Sequence, residues 1–165
     1  LDTLNKLIAL SGKAVAWLIL AMVLLTFSIV ILRYGFNLGW IWLQESVTYL
    51  HATVFMIAAA WTLQLDGHVR VDIFYRDRSR KHQALINIAG SIFFLLPFCV
   101  FMLIIGWEYV YASWHLFEGS REAGGLPLVY LLKSLILLLP GLLLLQTLSG
   151  LARCIDEVRG RRIQT

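Results

Sequence analysis

An all-α membrane protein with four transmembrane helices and both termini cytoplasmic is the fold class this sequence predicts, and three observations predict it. The 165 residues are 59% hydrophobic and only 15% charged, whereas a soluble domain carries about 45–50% apolar and about 25% charged residues. The apolar residues fall into four long runs that are uncharged or nearly so. Lys and Arg collect at the ends of those runs, so the net charge of +4 reads as topology and lipid contact rather than as a nucleic-acid surface. The chain is one membrane domain, with no soluble domain, internal repeat or low-complexity linker.

The first run, Ala14 to Leu32, has nineteen uncharged residues. At ~1.5 Å per residue it crosses most of a ~30 Å hydrocarbon core. A signal peptide has a shorter apolar region of about 7–15 residues and then a small-residue cleavage site, so this helix is expected to persist in the mature protein. Arg33 to Glu45 combines Gly35, Asn37 and Gly39 with Tyr34, Phe36, Trp40 and Trp42, a composition that breaks a helix and holds the chain at headgroup level. The second helix is expected over Ser46 to Leu65. Ala52 and Ala58 to Ala60 along it offer close approach to a neighbour.

The polar stretch Asp66 to His82 separates two apolar runs from two more. The third helix is expected over Gln83 to Trp107, tilted or kinked at Pro97, which lacks a backbone donor. Glu108 to Gly125 is aromatic and acidic and closes on a Gly pair. Pro127 suits a first helical turn, so a fourth helix is expected from there to about Ala152, followed by a basic tail. The N-terminal segment, the 66–82 loop and the tail hold eleven of the Lys and Arg residues, whereas the other side holds Arg33, Arg121 and Lys133. The positive-inside rule then makes the termini and the 66–82 loop cytoplasmic, and 33–45 and 108–125 periplasmic.

Few residues point to chemistry. His51 is the one histidine well inside a run, and an ionisable group there is a functional candidate; the simpler reading is a neutral imidazole hydrogen-bonded to a neighbouring helix. His51 and His115 are not placed as paired axial ligands, so no haem is expected. Lys133, about two turns into the fourth helix, reads first as a lysine snorkelling to the headgroups and second as a substrate- or ion-pairing group. Trp107, Tyr111 and Trp114 share one helical face, either an interfacial belt or a docking surface, with Glu108 and His115 flanking it. Glu118, Arg121 and Glu122 read as solvated loop residues. Cys99 and Cys154 have no metal-ligand spacing and are expected as free thiols. No nucleophile with its base, no metal motif and no phosphate-binding glycine loop occurs, so neither an enzyme nor a cofactor is expected. A complete transport path is not expected either, because midplane acids and paired broken helices are missing.

The order and spacing of four short segments carry a resemblance: Arg33-Tyr34-Gly35-Phe36-Asn37, Trp42-Leu43-Gln44-Glu45, Ala58-Ala59-Ala60, and Gly67-His68-Val69-Arg70-Val71-Asp72. Together they resemble the DctQ family, the small membrane subunit of tripartite ATP-independent periplasmic (TRAP) transporters. That family carries RY-x-FN, W-x-EE, G-A-A and G-H-x-x-V-D segments in this order. Gln44 stands where the first acid of the EE pair is usual, leaving Glu45 alone, and Ala58 replaces the glycine. The resemblance implies a bacterial inner-membrane, multi-pass subunit. Its implied partners are a large membrane subunit (DctM family), a periplasmic binding protein (DctP family or similar) and phospholipid. Its implied role is a static scaffold for sodium-driven uptake of a carboxylate-bearing solute. Arg33, Trp42, Glu45, His68, Arg70, Asp72, Trp107, Glu108, Trp114 and Lys133 are then the motif or partner-contact candidates. His68, Arg70 and Asp72 alternate and would share one side of an extended segment, as a polar clasp. The competing class is a freestanding tetraspan protein, either a redox subunit or a small exporter.

Overall fold

Helix is the only regular structure among the described residues of the computed structural model, which are 2–68, 75 and 78–159. The reason is the solvent that the composition implies. In hydrocarbon each backbone N–H and C=O has to be satisfied within its own segment, and a helix does this without partners. The elements are α1 (Asp2–Gly35), α2 (Ile41–Gln64), α3 (Arg80–Gly90), a five-residue π turn (Ser91–Leu95), α4 (Leu96–His115) and α5 (Val129–Val158). Four segments are long and apolar enough to cross a membrane: Ala14–Gly35, Ile41–Gln64, Arg80–His115 and Val129–Val158.

The helix ends differ from the sequence-based boundaries, for local reasons. Helix one was expected over 14–32, but α1 continues to Gly35 and Arg33 lies in its last turn. Asn37 takes a left-handed backbone (φ 55°), a conformation its short polar side chain tolerates. The chain folds back there, and the Leu38 N–H reaches the Leu32 carbonyl at 2.9 Å. The break is therefore short, and α2 starts at Ile41, which makes Trp42 and Glu45 helical residues rather than loop residues. Its C-terminus turns at Asp66 (φ 58°), where the Gly67 N–H bonds the Thr62 carbonyl at 2.9 Å.

The third span runs from Arg80 to His115, longer at both ends than the expected 83–107. Pro97 does not break it. The π turn lies just before it, with the Leu96 N–H reaching back five residues to the Ser91 carbonyl. A proline ring clashes with the carbonyl four residues earlier in a regular helix, and the wider turn relieves that crowding. The last helix begins at Val129 with Leu128 as its N-cap, so Pro127 precedes the first turn instead of occupying it. Pro140 lies inside α5 and is fully buried.

The four spans are arranged as an open row rather than a closed bundle. α5 packs on α2 along one side and on α3, the π turn and α4 along the other. α1 packs on α2 and meets α5 only over a short stretch. Among the described residues, the backbones of α1 and α2 do not come close to that of the third span. The core is correspondingly thin: its centre is Ala60, Cys99 and Leu143, with Trp61, Leu95, Leu139 and Leu142 against it.

Water-driven burial does not hold apolar helices together inside lipid; close packing and polar contacts do. Both devices are visible. Gly106 is a point of tight contact between α4 and α5, where an added Cβ would lie 3.1 Å from Leu137 Cδ2 and 3.3 Å from Ile136 Cγ2. The buried polar residues are Ser113 on α4 and Gln146, Thr147 and Ser149 on α5, which places α5 at the centre of the polar as well as the apolar contacts. Cys99 is buried and Cys154 half-buried, and the two are not joined in a disulfide.

Replacing Gly106 by Ile is expected to overpack this contact and destabilise the fold by about 1–3 kcal/mol. Gly141→Ala, where nothing lies within 4 Å of the added Cβ, is expected to be neutral. Thermal midpoints of the two variants in mild detergent check the contrast.

Candidate functional site

The side chains with the most specific polar geometry meet at one end of the row, where the α1–α2 turn faces the connection between α4 and α5. That connection, residues 116–128, contains no regular element. It is short enough to need outside hydrogen bonds, because its own backbone groups have no helix to satisfy them. Glu45 supplies them. As the fifth residue of α2 it points to the loop, where its Oε1 accepts from the Ser120 hydroxyl and its Oε2 accepts the Leu126 N–H at 2.6 Å. The Trp42 N–H adds a bond to the Gly124 carbonyl at 3.2 Å, and the Ser120 N–H closes the loop on the Leu126 carbonyl at 3.0 Å.

The Gly124-Gly125 pair has a mechanical reason in this setting. Gly124 has φ 79°, which favours glycine. Gly125 lies directly under the clasp: a Cβ there would fall onto the Ser120 side chain and 2.8 Å from Glu45 Oε2. A carboxylate accepting a hydroxyl and a backbone N–H makes charge-assisted bonds, which are shorter and stronger than neutral ones.

A second clasp closes the other side of the same loop. Lys133 Nζ donates to Glu118 Oε2, which also accepts the Ser113 hydroxyl at 2.7 Å. The ammonium lies 4.0 Å from the centre of the Tyr109 ring, a favourable place for a cation. Lys133 is thus ion-paired rather than snorkelling alone, and Glu118 is not a solvated loop residue. The hydrogen bond from Lys133 holds the Glu118 carboxyl below the usual carboxylate range, and the Ser113 hydroxyl adds to the effect. Aromatic packing extends this corner. The Trp114 ring meets Tyr130 edge-on at 4.8 Å between centres and donates its indole N–H to the Ser134 hydroxyl at 2.8 Å. Phe117 meets the same Tyr130 ring at 5.7 Å.

The remaining candidates distribute as follows. Trp107, Tyr111 and Trp114 do share a face and line an open groove of about 560 Å³ with Ser134, Leu135 and Leu138 of α5. His115 stacks edge-on against Tyr111 at 5.3 Å, and Glu108 is exposed. Arg33 is exposed in the last turn of α1. His68 is exposed after the end of α2, far along the chain from the clasps. Arg70 and Asp72 lie outside the described residues, and so does the proposed clasp that they would form with His68. Tyr75 in that connection is bonded to α3: Gln83 Nε2 donates to the Tyr75 carbonyl at 3.1 Å and Asn87 Nδ2 to its hydroxyl at 3.0 Å.

His51 is exposed on this chain, and no hydrogen-bond partner reaches it among the described residues, contrary to the expected bond to a neighbouring helix. Sequence reasoning missed Ser113, Ser120, Tyr109, Tyr130 and Ser134. Only the Gly pair signalled a tight structure nearby. No grouping of three metal-ligating side chains occurs among the described residues. What this end can do chemically is hold its own shape, and present Trp42, Tyr111, Glu108 and Glu122 on a rigid surface.

Glu45→Ala is expected to release the loop while leaving the spans intact, accelerating amide exchange at Leu126, whose N–H loses its carboxylate acceptor. Hydrogen-exchange mass spectrometry of the loop peptide reads this directly. The second clasp predicts a pH response. Because the folded Glu118 carboxyl titrates below its ordinary range, its contribution is full above that range and is lost as pH falls through the lower folded value. The Trp114 emission of the protein should therefore be constant from pH 7 to 5 and change only in stronger acid. In Lys133→Met the change should move to higher pH.

The family model described as "Tripartite ATP-independent periplasmic transporters, DctQ component" matches residues 22–157. The C4-dicarboxylate TRAP transporter small permease protein DctQ of Vibrio cholerae serotype O1 is 33% identical over 110 residues, which is 65% of this chain and 44% of that protein. The aligned part thus spans less than half of the relative's length. No solved structure gives a significant match. The family is one of transporter permeases of the bacterial inner membrane rather than of enzymes, and four membrane-crossing helices fit a multi-pass member. With most of its length matched, the chain belongs to the DctQ family, the small permease component of TRAP transporters.

Proposed function

We propose that this chain is the static scaffold subunit of a sodium-driven TRAP system that takes up a carboxylate-bearing solute delivered by a periplasmic binding protein. The observation that carries the reading is the open row of helices. Each of the first three spans is only 6% buried in its most apolar stretch, and the fourth 28%. Four spans with so thin a core, and no acid or broken helix at mid-depth, make a poor transporter alone and a good flank for a larger one. A subunit that moves substrate across the bilayer needs a neighbour that does not move. The two clasps and the Gly106 contact are rigid features of that kind.

The partners in this reading are the large DctM-type subunit, a DctP-type binding protein and phospholipid. The end carrying the clasps is read as periplasmic, on the Lys and Arg distribution, and as the side facing the binding protein. The carboxylate class comes from the family and from the name of the Vibrio cholerae relative, a C4-dicarboxylate transporter component.

The test is purification from the native membrane in mild detergent. A large membrane protein is expected to co-purify. Liposomes holding this chain alone should show no uptake, and uptake should appear when the large subunit, the binding protein and an inward sodium gradient are added. Transport by the chain alone, or a haem absorbance band in the purified protein, would instead establish the freestanding tetraspan alternative.

A further inference from the structure

At the end of α4 the backbone conformation and the residue type conflict. Leu116 is the C-cap, and the next two N–H groups fold back over the last turn. The Phe117 N–H reaches the Trp114 carbonyl at 3.2 Å and the Glu118 N–H the Ser113 carbonyl at 3.1 Å. This pair of bonds is the Schellman closure, which puts the residue after the cap in the left-handed region and usually has glycine there. Here that residue is Phe117, with φ 44°. Three non-glycine residues among those described have a positive φ: Asn37, Asp66 and Phe117. The short polar side chains of Asn and Asp tolerate this conformation, whereas a bulky ring is strained in it. At the other left-handed position of the same loop the chain has Gly124, with φ 79°.

The return on that strain within the chain is small. The Phe117 ring meets Tyr130 edge-on at 5.7 Å, yet Phe117 remains 70% exposed and its neighbour Leu116 78%. Their height above the membrane restricts what can cover them. Glu108 is an exposed carboxylate on α4, and such a group belongs outside the hydrocarbon. Leu116 is eight residues farther along, or ~12 Å of helix, whereas the headgroup layer on one side is about 5–8 Å deep. The pair therefore stands in water, beyond acyl chains and beyond any transmembrane helix. There, unlike in lipid, burial of apolar surface drives association. The patch is only these two side chains, and the exposed His115, Arg121 and Glu122 flank it in sequence. A small apolar centre with a polar rim fits a soluble partner that docks and leaves; a permanent subunit contact buries far more apolar area.

We infer that Leu116 and Phe117 are the contact on which the periplasmic binding protein docks, with the Phe117 ring entering an apolar hollow of that protein. The inference rests on the scaffold reading and adds where the delivering protein is held. The tip is set in advance: Glu118, next to Phe117, is fixed by Lys133 and by the Ser113 hydroxyl, so little ordering remains to be done on docking.

The experiment uses the complex of this chain with its large subunit in lipid nanodiscs and measures binding of the purified binding protein. In Phe117→Gly the dissociation constant should rise roughly tenfold or more, as loss of one apolar anchor gives. Recovery of the large subunit should be unchanged, and the thermal midpoint of the complex should hold or rise, because glycine relieves the left-handed backbone. The photoreactive residue p-benzoylphenylalanine at position 117 should form an adduct with the binding protein. Unchanged affinity in Phe117→Gly overturns the inference and leaves the scaffold role standing. So does a fall of affinity together with the thermal midpoint, which makes Phe117 a packing residue for Tyr130. Adducts from position 117 only to the large subunit, to lipid or to a second copy of this chain overturn it as well. Failure of the unmodified chain to bring down any large subunit overturns both this inference and the scaffold reading.

Discussion

Much of this structure depends on one carboxylate held against a loop that cannot satisfy itself. Glu45 stands at the head of α2, and the loop it grips connects α4 to α5, so the two halves of the row are tied together at one end across 81 residues of sequence, from Glu45 to Leu126. Along the spans, among the described residues, the close backbone approaches between the halves run through α5, by contacts that carry little hydrophobic drive inside lipid. A charge-assisted pair of hydrogen bonds at the end of the row is a different kind of restraint. It fixes how far α2 and α5 can slide past each other, and it sets the direction in which the last helix leaves the loop.

The Lys133–Glu118 pair does the same work on the other side of the loop, between α4 and α5. Its partners explain why this region is aromatic as well as charged. Tyr109 accepts the ammonium on its ring face, Ser113 completes the carboxylate, and Trp114 ties α4 to α5 through Ser134 and Tyr130. A composition that reads as a headgroup belt is also a packed corner. The two descriptions are compatible, since amphipathic rings favour the interface and can bond there at the same time.

The opposite property, absence of restraint, describes the faces of the row. A helix bundle that functioned alone would turn polar groups inward and close on itself. Here His51 is exposed along the α1–α2 groove, and large apolar side chains such as Phe27, Phe94 and Ile104 are exposed on the outside. The proposed scaffold role accounts for these features through a neighbouring subunit that would complete the shape.

Composition and run length were enough to establish four membrane-crossing helices, because a bilayer imposes both the apolar length and the helical solution on any chain that crosses it. The motif order was enough for the family. Helix ends were less legible. Asn37 reads as a breaker, but only its left-handed backbone shows that the break is short enough to leave Trp42 and Glu45 on α2. Pro97 reads as a kink, yet a π turn absorbs it and the helix continues to His115. The pairing of Glu45 with Ser120 and Leu126, and of Lys133 with Glu118, had no local signal, since each partner alone looks like an ordinary interfacial residue. The open order of the row, and the exposure of His51 along the α1–α2 groove, were likewise decided by the tertiary structure. A sequence states which residues prefer hydrocarbon, whereas in a medium as apolar as the side chains themselves that preference does not say which helix lies beside which.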